Sequence, residues 1–108
     1  MSFNLKQLPD DIIYEVKQFI IFKPMNKQKL KKAIKIYDQD IHLSNHIYGD
    51  ISLWDTSLIN DMSYLFKNMR NFNSNISRWN TSNVTDMSYM FEDAIKFNQL
   101  LLFDTGNV

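Results

Sequence analysis

A chain of 108 residues has the size of one small domain or a fragment of a larger protein, and 44% apolar with 14% aromatic content is enough to build a core. The formal net charge of zero points to neither nucleic acid nor an acidic membrane as a partner. The absence of cysteine excludes a disulfide framework and thiolate-based metal or redox chemistry.

Charge and style change along the chain. Residues 1–40 hold eight Lys against five acids, and residues 41–108 hold four basic groups against seven acids, which reads as a boundary. The opening residues, from Met1 to Asp11, show no basic leader followed by an apolar run, so no signal peptide is expected. The longest apolar run, Phe19-Ile20-Ile21-Phe22, is too short to cross a bilayer. The expected location is therefore cytoplasmic, the host cytoplasm if the source is a virus.

Leu8-Pro9-Asp10-Asp11 reads as a helix start, because proline is tolerated in the first turn and acids complement the positive helix end. Ile12, Ile13, Val16, Phe19 and Ile20 recur at helical spacing as one apolar face, and Lys23-Pro24 is expected to end the helix. Leu8, Pro9, Ile12, Ile13 and Val16 in this setting resemble the opening of an F-box domain. That resemblance implies binding to the adaptor subunit of a cullin-type ubiquitin ligase; the alternative is a plain helix capping the segment that follows.

A second helix is expected from about Lys27 to Tyr37, with Leu30, Ala33, Ile34 and Tyr37 inward and Lys27, Lys31 and Lys35 as a solvated face. With Lys29 and Lys32, these lysines could meet an acidic partner, but a charged helix face ordinarily meets water.

The decisive feature is an internal repeat. Ile51-Ser52-Leu53-Trp54-Asp55-Thr56-Ser57-Leu58-Ile59-Asn60-Asp61-Met62-Ser63-Tyr64-Leu65-Phe66 aligns without gaps on Ile76 to Phe91, and Trp79 follows Trp54 by 25 positions. Phe72-Asn73 continues onto Phe97-Asn98, and Phe103-Asp104-Thr105-Gly106-Asn107-Val108 begins a third copy at an offset of 24. The matched apolar positions are expected inward, stacked on their counterparts, with short polar stretches turning the chain. Asp61 and Asp86 suit side-chain capping of free backbone N–H groups.

The string Trp-Asp/Asn-Thr-Ser-x-Val-Thr-Asp-Met-Ser-Tyr-Met-Phe, followed by Phe-Asn, resembles the BspA-like leucine-rich repeat family (DUF285-type repeats). The segment before it, from Leu30 to Trp54, looks like the lead-in to such repeats, so the resemblance covers about residues 28–108. It implies an α+β fold: an N-terminal α-helical cap followed by a short right-handed leucine-rich-repeat-like solenoid with short strands. The expected division is a cap or F-box-like helix at 1–25, a helical lead-in at 26–50, and repeats at 51–75, 76–100 and 101–108.

No enzymatic constellation is found. His42 and His46 would share a helix face, but a zinc site needs further ligands at defined spacing, so no metal is expected. Two glycines, Gly49 and Gly106, give no phosphate-cradling loop, and without His in the repeats a Ser-His-Asp arrangement has no support. No cofactor is expected. The sequons at Asn75, Asn80 and Asn83 follow from the repeat's preference for Asn, Ser and Thr.

These features support a non-enzymatic protein–protein interaction module. Its candidate partner-binding residues are positions that vary between copies: Leu53 and Arg78, Lys67 and Glu92, and with them Leu58 and Asn83, Arg70 and Ile95. Two other readings stand beside it: a substrate adaptor of a ubiquitin ligase, and a truncated remnant of a longer repeat protein. The apolar Leu100-Leu101-Leu102-Phe103 end predicts marginal stability or self-association.

Overall fold

The computed structural model describes residues 20–108. Leu8, Pro9, Ile12, Ile13 and Val16 lie outside them. Residues 20–24 are not helical, which corrects the expectation of a helix running to Lys23. Tertiary contacts hold this strap instead: the Asp55 N–H donates to the Phe22 carbonyl at 2.9 Å, and the Phe22 ring sits between Tyr48 and Trp54.

Helix α1 spans Lys27–Gln39 and buries Leu30, Ala33, Ile34 and Tyr37, the face its apolar spacing predicts. Asn26 caps it, its side-chain oxygen accepting the Lys29 N–H at 2.9 Å. Asp40 joins two helices: its N–H donates to the Ile36 carbonyl, while its carboxylate accepts the Leu43 N–H at 3.0 Å to start α2, Ile41–Tyr48. Gly49, at φ 73 and ψ −178, ends α2 in a backbone region that side chains avoid. Asp50 then caps a 3₁₀ turn at Ile51–Leu53.

The remaining residues form two stacked coils in the 25-residue register. Ile51 and Ile76, Trp54 and Trp79, Thr56 and Thr81, Ile59 and Val84, and Leu65 and Met90 are all buried. Aromatic rings run through both copies: Trp54 stacks on Trp79 at 6.3 Å, Phe66 on Phe91 at 5.4 Å and Phe72 on Phe97 at 5.5 Å. Helix α1 closes the repeat 1 side of the same core, where the Tyr37 hydroxyl meets Ser74 Oγ and its ring meets Phe72 edge-on.

The expected α+β solenoid built on short strands is overturned. Among the described residues there is no strand, only one isolated parallel bridge between Asp61 and Asp86. The cause lies in how each coil uses its amides. The N–H groups of Met62, Tyr64, Phe66 and Asn68 donate across to the carbonyls of Asp86, Ser88, Met90 and Glu92, at 2.8 to 3.0 Å. Those of the alternate residues Leu65, Lys67 and Met69 turn inward along the chain, to Met62, Tyr64 and Phe66. A strand with neighbours on both flanks directs alternate amides to opposite flanks; here every second amide closes a turn. Left-handed residues at Tyr64 (φ 61) and Asn68 (φ 65), repeated at Tyr89 (φ 56) and Asp93 (φ 60), hold this conformation in both copies.

Polar residues serve the same register. Asp55, Asp61, Asn75, Asn80, Asp86 and Asp104 each accept the backbone N–H two residues on, so the recurrent Asp/Asn-x-Ser pattern is a series of Asx turns. Thr56 Oγ1 donates to the Asn80 carbonyl and Thr81 Oγ1 to that of Asp104, both at 3.0 Å.

Candidate protein-interaction surface

The positions that vary between copies lie largely on the outside, as their freedom from core packing requires. Leu53, Leu58, Lys67, Arg70, Arg78 and Ile95 are exposed, while Glu92 is half-buried. Their settings differ. Leu58 is 51% exposed, but its counterpart Asn83 donates from Nδ2 to the Ser57 carbonyl at 2.7 Å. Asn107 repeats that bond to Ser82, so an asparagine here ties one coil to the one before it. The sequence gives no such hint at Leu58, whose side chain is left for other use. Asn75 and Asn80 likewise serve Asx turns.

Lys67 Nζ lies 5.3 Å from the centroid of the Tyr64 ring, and Tyr64 stacks on Tyr89 at 5.1 Å. Both tyrosines are exposed, at 42% and 61%, and both hold left-handed backbone that a bulky residue adopts at a cost. The structure therefore displays a two-ring ladder that sequence alignment alone marks as a repeated position without telling which way it faces.

A groove of about 410 Å³ lies beside repeat 1, lined by Phe22, Tyr48 and Trp54 with Leu53, His42 and His46. Leu53 is the one candidate residue it includes. The two histidines share a face of α2, but among the described residues no three His, Asp or Glu side chains converge to hold a metal ion. Helix α2 also leaves Ile41, Leu43 and Ile47 exposed, so it contributes an apolar outer surface that sequence reasoning missed.

Electrostatics are dominated by the turns. The Asp55 carboxyl is held below the usual carboxylate range by the Ser57 hydroxyl and then its N–H, with Lys23 adding to this against the effect of burial. Asp61 is lowered in the same way by Ser63, with Lys27 adding, and Asp86 by Ser88. Lys27 does not belong to a solvated face: it is half-buried, 3.2 Å from Asp61 and 2.8 Å from Ser63 Oγ, and pins α1 to repeat 1. Lys29, Lys31, Lys32 and Lys35 are exposed.

The alternation of buried fixed positions and exposed variable ones, over a 25-residue period, is the mark of a repeat family. A family model described as "Mycoplasma protein of unknown function, DUF285" matches residues 28–108. The chain belongs to the DUF285 family. The match begins at the second residue of α1 and takes in α2 and both repeats; the F-box-like start at Leu8 lies outside it and has no support. No curated protein and no solved structure matches the chain. Among the described residues, no helix of this DUF285 protein is long and apolar enough to cross a membrane.

Proposed function

We propose that this DUF285 chain is a non-enzymatic protein-interaction module that binds through exposed side chains of its repeats. The supporting observation is the division of labour between copies. Positions that match are buried or engaged in turns, whereas Leu53, Leu58 and Ile95 expose apolar side chains where the other copy carries Arg78, Asn83 and Arg70. A large apolar side chain held in water contributes little to this fold, and such residues supply the desolvation on which protein recognition draws.

The test uses the second copy as a guide to harmless substitutions. A Leu53→Arg/Leu58→Asn variant carries residues that the equivalent positions already accept, so its fold is retained. The full chain is expected to retain a protein partner from a cell lysate, with the variant binding that purified partner at least about tenfold more weakly, or roughly 1.4 kcal/mol. Equal binding by the variant, or no stoichiometric partner for either, would overturn the reading.

A further inference from the structure

The strap before α1 is fixed at Phe22 and leads the chain into a groove. The Phe22 carbonyl accepts the Asp55 N–H, its ring packs between Tyr48 and Trp54, and Pro24 is fully buried. Ile20 and Ile21, the first two described residues, line the groove of about 410 Å³ together with Leu53, yet each of the two is 59% exposed. His42, Asn45 and His46 of α2 present polar side chains to the same space. Isoleucine pairs held in water beside a concave apolar lining carry a cost that a cover would remove.

We infer that residues 12–19 of the same chain are the cover, docked on this groove through Ile12, Ile13, Val16 and Phe19. The occupant follows from pattern and position. Those four residues recur at helical spacing and lead directly into Ile20, which already lines the groove, so the apolar face and the apolar lining are continuous along the chain. At about 1.5 Å per residue the segment spans roughly 12 Å, which keeps its whole apolar face beside the groove. Asp11 and Glu15, four positions apart, fall on one margin of that face, where a carboxylate can accept from Asn45 or an imidazole N–H. Tethering favours this occupant over others. With no linker between segment and groove, the local concentration is on the order of millimolar or more, which a second copy or a separate protein has to exceed. The DUF285 match begins at residue 28, so this cover is an addition to the repeat pattern rather than a part of it.

The test needs no partner protein, and the absence of cysteine lets an engineered pair report the contact without background. In the full chain, Val16→Cys/His46→Cys is compared with Gln18→Cys/His46→Cys, which moves the first thiol to the opposite side of the segment; both are oxidised mildly at low chain concentration. A disulfide needs Cα atoms within about 7 Å, so the Val16 pair is expected to close within one chain at least about tenfold faster than the Gln18 pair. Adding Ile13→Asp, which places a charge on the covering face, is expected to slow that closure by at least about tenfold. Equal rates for the two pairs, no disulfide within the chain, or closure indifferent to Ile13→Asp overturns the inference. A disulfide-linked dimer in its place also overturns it, by making a second copy the occupant. Leu58 does not line the groove, so loss of a partner by Leu58→Asn alone would preserve the proposed function whatever the cross-link shows.

Discussion

Replacing Phe66 and Phe91 by alanine compares two residues that are equivalent in the repeat and unequal in the stack. Phe66 is 0% exposed, with ring centroids 4.3 Å from Phe72, 5.4 Å from Phe91 and 5.6 Å from Trp79. Deleting a ring so enclosed removes its transfer energy and leaves a cavity, at a cost of about 3–5 kcal/mol. Phe91 touches Phe66 and Phe97 but is only half-buried, so Phe91→Ala forfeits about half as much, roughly 1.5–2.5 kcal/mol. A domain of this size has only about 5–15 kcal/mol in total, so Phe66→Leu serves as a milder partner should Phe66→Ala fail to fold. Urea unfolding followed by the fluorescence of Trp54 and Trp79 gives the comparison. Equal costs at the two positions, or a greater cost at Phe91, would refute the burial gradient from which the argument is built.

Asp55, Asp61 and Asp86 have folded-state pKa values below their unfolded ones, so they contribute stability above the unfolded carboxylate value, about 3.9, and lose it as pH falls through the folded values. The urea midpoint should drop between neutral pH and pH 3, and Asp61→Asn, which keeps the Asx turn, should flatten part of that slope; an unchanged slope would contradict the assignment. Gly49→Ala should destabilise by about 1–3 kcal/mol in thermal unfolding, purely through the backbone, because a Cβ there would meet nothing within 4 Å. Ser44 is fully buried on α2 and among the described residues its hydroxyl has no hydrogen-bond partner, so Ser44→Ala should raise stability by about 0.5–1 kcal/mol; a loss of similar size would contradict this.

Much of the packing was legible before the structure, because a repeat fixes which residues must be alike. The offset between Trp54 and Trp79 carried over to the stacked rings, and the spacing of Leu30, Ala33, Ile34 and Tyr37 to the buried face of α1. The short strands were what the family resemblance implied; the residues alone do not decide between strand and turn, for a definable reason. Apolar residues two apart at Met62 and within the following turn suit a strand and a chain of tight turns alike, and only the left-handed Tyr64 and Asn68 separate them. Tyrosine is among the last residues from which such backbone would be guessed. The interaction surface was half legible: variation marked Leu53 and Leu58, but it also marked Asn83, which is a structural tie between coils. The groove around Phe22, Tyr48 and Trp54 arises from long-range placement and has no local sequence signal.

Amide exchange of the 108-residue chain tests the repeat-on-repeat register most directly. The account predicts strong protection at Met62, Tyr64, Phe66 and Asn68, whose N–H groups are bonded to repeat 2, and fast exchange at the equivalent Met87, Tyr89, Phe91 and Asp93, which have no acceptor among the described residues. Equal protection of the two sets, or fast exchange at the first, would contradict it.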